Sequence, residues 1–209
     1  MPNTLGILGK KVGMTRIFSE DGSAIPVTVV EAGPCVVVQK KSETKEGYNA
    51  IQVGFLEKKS NRTKLPMQGH CKASGAAGYY FLKEFHVDNP DDYEIGQKLR
   101  SNDFFEVGDI VDVSGTTKGR GYQGVIKRHG FTGGRKTHGS MFHRGPGSIG
   151  NAATPSKVIK GKKLPGRMGN RKVTKQNVMI VDIRDEDDLL ILKGSLPGNN
   201  KDVVQIYSK

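Results

Sequence analysis

Short apolar runs separated by turn-forming residues occupy both ends of the chain. The runs are rich in Val, Ile, Leu and Phe, and their lengths and spacing are typical of β-strands. Helical periodicity is weak, apart from a short helix that we predict from Pro66 to about Ser74, because proline suits the first helical turn. The pattern predicts a mainly β fold, a barrel or a sandwich, rather than an α/β fold. The predicted strands are residues 6–18, 24–32, 35–40, 50–55, 81–87, 109–113, 178–184, 189–193 and 203–207.

Two sequence features predict β-hairpins. Asp21-Gly22 separates the first two predicted strands, and glycine tolerates the positive φ that a tight hairpin turn requires. The acidic cluster at residues 185–188 is placed to turn a second hairpin near the end of the chain.

The predicted strands lie on both sides of a long region without strand periodicity. We therefore predict one barrel body, with residues 118–175 as an insertion that leaves and re-enters it and with 115–125 and 173–181 as its base. Residues 1–117 would form the first part of the body, including a small helical or irregular excursion around 58–80. Residues 176–209 would complete the barrel.

The charge along the chain is very unevenly distributed. The protein has 209 residues, and its 33 Lys and Arg against 21 Asp and Glu give a net charge of +12. Between Asp112 and Asp182 there is no acidic residue at all, whereas fifteen Lys and Arg lie in that interval. The rest of the chain is slightly acidic. A concentrated positive charge of this kind indicates a polyanionic partner, and nucleic acid is the leading candidate.

The central part of the insertion, residues 127–172, has few apolar residues and no regular periodicity. It should bury too little surface to offset its chain entropy, so we expect it to be mobile when free. A flexible linker is the plain alternative. His129, His138, His143, Phe131 and Phe142, however, are interleaved with the cations, and such groups stack on bases or donate to phosphate. Fully extended out and back, this segment could reach at most about 75 Å.

Membrane and secretory interpretations are disfavoured. The chain has no apolar run of the roughly 18 residues that a membrane span needs, and no amphipathic basic helix. Its N-terminus lacks a secretion signal, and Cys35 and Cys71 are far apart, outside any Cys-x-x-Cys arrangement. We therefore expect a cytoplasmic protein whose two cysteines are packing residues.

Motifs for cofactors, metals and catalysis are weak. Residues 119–124 spell G-x-G-x-x-G, but no helix pattern follows and no acidic residue stands about twenty positions later, so we prefer a flexible β-strand edge to a dinucleotide site. His129, His138 and His143 have no nearby Cys or carboxylate to complete a zinc site. We predict no cofactor, no metal, no small-molecule substrate and no enzymatic activity. Two further hypotheses stay open, a DNA-compacting architectural protein and an enzyme whose site no motif reveals.

Four ordered motifs carry a resemblance to a known family. They are GILGKKVGMTRIF at 6–18, VSGTTKGRGYQG at 113–124, HRGPGSIG at 143–150 and GKKLPGRMGN at 161–170. Together they resemble the bacterial large-subunit ribosomal protein L3 family, and the similarity extends from end to end of the chain.

The resemblance implies a translation-factor-like β-barrel on the surface of the large ribosomal subunit. It also implies an extension that threads through large-subunit rRNA toward the peptidyl-transferase centre, and an early role in subunit assembly. Neighbouring large-subunit proteins, with L14 and L19 as our prediction, would contact the body. One departure concerns Asn151, which stands where some family members carry a methylated glutamine, so we do not carry that modification over.

The resemblance and the charge pattern together predict two sets of residues. The extension tip, near the peptidyl-transferase centre, would comprise Arg144, Gly145, Pro146, Gly147, Ser148, Ile149, Gly150, Asn151, Ala152, Ala153, Thr154 and Pro155. The predicted rRNA-binding residues are Lys118, Arg120, Lys127, Arg128, His129, Arg135, Lys136, His138, His143, Arg144, Lys157, Lys160, Lys162, Lys163, Arg167, Arg171 and Lys172.

Overall fold

A computed structural model describes residues 6–208 of the protein. The strands are β1 (Gly6–Phe18), β2 (Ala24–Ala32), β3 (Cys35–Lys41), β4 (Ala50–Glu57), β5 (Tyr79–His86), β6 (Lys98–Leu99), β7 (Ile110–Thr116), β8 (Tyr122–Gln123), β9 (Gly166–Arg167), β10 (Lys172–Arg184), β11 (Leu189–Lys193) and β12 (Val203–Ser208). The α-helices are α1 (Glu43–Glu46), α2 (Leu65–Cys71) and α3 (Val125–His129), and short 3-10 turns occupy Ser60–Arg62, Lys72–Ser74, Pro90–Asp92 and Ser101–Asp103. None of the helices within these residues is long and apolar enough to cross a membrane.

Six strands close into an antiparallel barrel in the order β1-β12-β7-β10-β11-β2. A closed barrel leaves no strand edge unpaired within its own sheet, and its interior is filled by side chains from every strand. The described core includes Ile7 of β1, Val113 of β7, Leu190 of β11 and Ile206 of β12, all essentially inaccessible to solvent. The prediction of a mainly β fold built on a barrel is confirmed.

A second sheet, in the order β5-β4-β3-β6, belongs to the same body. Ile51 and Phe55 of β4 and Phe85 of β5 are buried in one cluster with the barrel residues. Because both sheets contribute to one hydrophobic core, the two halves of the body stabilise each other.

Both predicted hairpins are confirmed. β1 and β2 pair antiparallel up to Phe18 and Ala24, and Gly22 in their turn has a φ of +76°. β10 and β11 pair up to Arg184 and Leu189 around the predicted acidic turn. The predicted short helix is present as α2 followed by a 3-10 turn that ends at Ser74.

The largest difference from the predicted strands concerns β10, which begins at Lys172 rather than at residue 178. Its first part pairs with β7, from Lys172 opposite Thr116 to Lys175 opposite Val113. These first residues are mostly polar and exposed, so they lack the apolar composition from which strands are predicted. Residues 172–175, which we predicted to belong to the insertion, are therefore part of the barrel.

The chain divides into two compact units. One comprises the residues up to Thr116 and those from Lys172 onward, and contains the barrel and the second sheet. The other comprises Thr117–Arg171 and contains β8, β9 and α3.

A buried lysine stabilises the turn that precedes β12. Lys11 of β1 is only 5% exposed, and its Nζ donates hydrogen bonds to the carbonyl oxygens of Leu196, at 3.1 Å, and Gly198, at 3.4 Å. A charged donor that reaches backbone carbonyls in this way stabilises the conformation of the turn.

We expect Lys11→Met to lower the free energy of unfolding by about 1–3 kcal/mol, because both carbonyls lose this donor. Urea denaturation of the whole protein would measure the change. Lys10→Met is the matched control, since the adjacent Lys10 is partly exposed and pairs with Glu31 at 3.3 Å. That surface pair should contribute less than about 1 kcal/mol. Equal effects of the two substitutions would contradict the role assigned to Lys11.

Candidate nucleic-acid interface

Two antiparallel passes of the chain form the root of the Thr117–Arg171 unit, which we call the extension. The backbone N–H of Thr117 donates to the carbonyl of Arg171 at 3.0 Å, and the N–H of Arg120 donates to the carbonyl of Met168 at 2.9 Å. β8 and β9 then continue the pairing, with Tyr122 opposite Arg167. The two passes therefore form a hydrogen-bonded, two-stranded ribbon.

The G-x-G-x-x-G stretch lies in this ribbon and leads directly into a helix. Its residues Tyr122 and Gln123 form β8, and α3 starts immediately after Gly124. The expectation that no helix follows the motif was wrong. Helix α3 has five residues, and only Val125 among them is fully buried. So short a stretch shows no recognisable helical periodicity in the sequence.

Two of the predicted rRNA-binding residues hold the unit together internally. Arg128 Nη1 donates to the carbonyl oxygen of Leu164 at 2.6 Å, and His129 Nε2 lies 3.1 Å from the same oxygen. Both side chains are half-buried. A Cβ at Gly166 would lie 2.8 Å from the Arg128 Nη1, so glycine leaves room for this close approach.

Two hydrogen bonds close the loop that follows α3. The N–H of Gly134 donates to the carbonyl of His143 at 3.0 Å, and His143 Nδ1 lies 2.9 Å from the carbonyl oxygen of Arg135. A Cβ at Gly134 would clash with the backbone carbonyl of Phe142. Backbone hydrogen bonds and glycines thus shape this loop.

The predicted tip, residues 144–155, has neither helix nor strand and is exposed along almost its whole length. Gly147 has a φ of +77°, a backbone conformation that residues other than glycine rarely adopt. Ser148 Oγ donates to the carbonyl of Gly150 at 3.2 Å. Arg144 is the one charged residue in the tip, so its distinguishing property is backbone shape.

The remaining predicted rRNA-binding side chains are exposed. None has a carboxylate partner, since the four ion pairs found among residues 6–208 all lie in the body. Lys172 differs from the others because it lies in barrel strand β10 and donates to Gln205 Oε1 at 3.1 Å. The exposed residues are Lys118, Arg120, Lys127, Arg135, Lys136, His138, His143, Arg144, Lys157, Lys160, Lys162, Lys163, Arg167, Arg171 and Lys172.

Several apolar side chains in the same unit are also exposed. Met141 is 97% exposed and Tyr122 73%, and Ile149, Val158 and Ile159 are about half exposed. Sequence reasoning singled out the aromatic residues and, within the tip, Ile149, but it missed Met141, Val158 and Ile159, because isolated apolar residues in a polar stretch show no periodicity. These apolar side chains lie in the same unit as the exposed cations.

The arrangement offers phosphate-binding donors and stacking surfaces. Within residues 6–208 no three His, Cys, Asp or Glu side chains are grouped closely enough to hold a metal ion. The histidines at 129 and 143 instead face the backbone carbonyls of Leu164 and Arg135.

Comparison with known proteins gives a consistent result. The sequence profile described as Ribosomal protein L3 matches residues 86–189. The large ribosomal subunit protein uL3 of Desulfotalea psychrophila is 54% identical over 209 residues, the full length of both chains. That of Syntrophotalea carbinolica is 56% identical over 195 residues, 93% of each chain, and that of Geobacter sulfurreducens is 52% identical over 201 residues, 96% of this chain and 95% of the relative.

The resemblance drawn from the four sequence motifs is thereby confirmed along nearly the whole chain. The chain belongs to the ribosomal protein L3 family, whose members are structural, non-enzymatic constituents of the large ribosomal subunit.

Proposed function

We propose that the exposed cations of the Thr117–Arg171 unit bind large-subunit rRNA directly and neutralise its phosphates. The observation that carries this proposal is the interval between Asp112 and Asp182, with fifteen Lys and Arg and no acidic residue. A cation that approaches a phosphate releases condensed counterions, which favours binding and allows RNA helices to pack closely around the protein.

The same unit supports a role in early subunit assembly. Residues 144–163 contain no helix or strand and few side-chain hydrogen bonds, so RNA contacts would supply much of their ordering. Folded rRNA helices repel one another until their phosphates are neutralised, so a cationic segment is most useful before the helices close around it.

The tip, residues 144–155, would lie near the peptidyl-transferase centre, and the body would contact the neighbouring proteins L14 and L19. The tip is almost uncharged apart from Arg144 and is shaped by glycines and Pro146, which suits a structural contact more than phosphate neutralisation. Both placements follow from the family resemblance.

Neutralising exposed cations in the extension should reduce the salt dependence of rRNA binding. If about half of the fifteen cations contact phosphate, log K against log salt should fall with a slope of roughly −5 to −7. An extension variant carrying Lys157→Gln, Lys160→Gln, Lys162→Gln and Lys163→Gln should make that slope shallower by about 3. Filter binding or fluorescence titration of the full chain with large-subunit rRNA measures both values.

The matched control variant carries Lys45→Gln, Lys98→Gln, Lys193→Gln and Lys201→Gln. These four side chains are exposed and lie in the body, and the charge change is the same. We expect this control to change the slope by less than about 1, because its cations do not contact phosphate. A wild-type slope near −1, or equal changes in the two variants, would remove the proposal.

A bulky residue in the tip should affect the function of the ribosome more than the affinity for rRNA. We expect Gly147→Val to impair peptidyl transfer or to alter antibiotic response in reconstituted subunits, with less than about a threefold change in rRNA affinity. The added Cβ would meet only the Phe142 ring, at 4.0 Å, so its side chain would project outward from a strained backbone.

Gly139→Val is the control for that substitution. Gly139 also has a positive φ, +70°, and open space around it, but it lies outside the tip. Comparable defects from both substitutions would count against a special role for the tip, as would a loss of rRNA affinity with intact peptidyl transfer.

A further inference from the structure

An aromatic side chain lies just before the chain enters the tip. Phe142 precedes residues 144–155 by two positions, and 46% of its surface is exposed. The adjacent Met141 is 97% exposed, so the two neighbouring apolar side chains differ in how much of the protein they contact. The ring of Phe142 is therefore partly packed against the extension itself.

Two glycines lie against opposite edges of this ring. A Cβ built at Gly134 would lie 2.6 Å from the ring carbon Cδ1 of Phe142, and a Cβ built at Gly145 would clash with its Cε2. Cδ1 and Cε2 are opposite one another across a phenyl ring. The ring therefore fills the space between the loop that follows α3, at Gly134, and the start of the tip, at Gly145.

Hydrogen bonds hold the backbone on both sides of Phe142. The N–H of Gly134 donates to the carbonyl of His143 at 3.0 Å, and Ser140 Oγ donates to the carbonyl of Phe142 at 3.1 Å. His143 Nδ1 lies 2.9 Å from the carbonyl oxygen of Arg135. Because the loop holds the backbone of Phe142 in this way, the position of the ring is set by the loop rather than by the tip.

The tip has little regular structure of its own to set its direction. It contains neither helix nor strand, and the hydrogen bond from Ser148 Oγ to the carbonyl of Gly150 joins residues that are close in sequence. So local a contact does not orient the tip relative to the loop. The Phe142 ring, in contrast, joins Gly145 of the tip to Gly134 on the far side of the loop.

We propose that Phe142 is the positioning residue of the tip. Its ring, packed between Gly134 and Gly145, sets the direction in which residues 144–155 leave the loop. Glycine at both edges lets the backbone approach the ring closely. The ring acts through Gly145 and is not itself an RNA contact. This inference rests on the proposed placement of the tip near the peptidyl-transferase centre and names the side chain that maintains that placement.

Nuclear magnetic resonance of the full-length protein tests the contact in the absence of the ribosome. An aromatic ring shifts the resonances of protons packed against it, so the Hα resonances of Gly134 and Gly145 should move in Phe142→Leu. Met141→Leu is the matched control and should leave them in place, because that neighbouring side chain is almost fully exposed. Unchanged glycine resonances in Phe142→Leu would overturn the proposal.

Large subunits reconstituted with Phe142→Ala protein test the positioning role. We expect peptidyl transfer to slow by about threefold to tenfold, since a small misplacement near a reaction centre lowers the rate. The affinity for rRNA and its salt dependence should not change. Phe142→Tyr keeps the ring and should restore the rate, and Met141→Ala should leave it at the wild-type value. A matching loss of rRNA affinity in Phe142→Ala would make the ring an RNA contact and the proposal wrong.

Gly145→Ala provides a second, independent variant. The three atoms nearest to the added Cβ all belong to the Phe142 ring, so the methyl group should displace the ring and slow peptidyl transfer as Phe142→Ala does. Once the ring is removed this clash is absent, so Gly145→Ala should add little to Phe142→Ala in the double variant. Fully additive effects of the two substitutions would contradict a shared action through the ring.

Gly147→Val separates a failure of this inference from a failure of the proposed placement. If Gly147→Val slows peptidyl transfer and Phe142→Ala does not, the placement of the tip stands and the role of Phe142 is wrong. If neither substitution changes peptidyl transfer, although the glycine resonances shift in Phe142→Leu, the placement near the reaction centre is wrong and the positioning role fails with it.

Discussion

Positive charge that cannot be neutralised within its own segment is the constraint on which the protein depends. Fifteen cations between Asp112 and Asp182 repel one another, and no carboxylate in that interval can offset the repulsion. The four ion pairs of the described residues all belong to the body. As a member of the L3 family, the chain is part of the cytoplasmic ribosome, where a dense field of phosphates is available.

The extension consequently builds its internal structure from backbone acceptors. The guanidinium of Arg128 and the ring of His129 approach the carbonyl of Leu164, and His143 approaches that of Arg135. A carbonyl oxygen accepts a hydrogen bond without adding negative charge, so these contacts order the root of the unit while keeping its net charge high. Gly134 allows the close approach of the Phe142 backbone, and Gly166 leaves room for the Arg128 guanidinium.

The body uses the same device where Lys11 donates to the carbonyls of Leu196 and Gly198, and where Lys175 donates to the carbonyl of Ser195 at 2.8 Å. Its barrel and second sheet share one hydrophobic core.

The sequence alone determined the regular part of the fold and the nature of the partner. The bounds of β1, β2 and β11 and the hairpin at Asp21-Gly22 follow from apolar runs and turn residues, and the acid-free interval is visible in the sequence itself. The polar start of β10 could not be predicted in this way, because its place beside β7 is fixed by hydrogen bonds rather than by apolar side chains.

Only the tertiary structure decided which cations are free to bind a partner. Charge and strand periodicity are local properties, so they can be read from neighbouring residues. The partner of a cation, in contrast, depends on a distant part of the chain, as Arg128 depends on the carbonyl of Leu164.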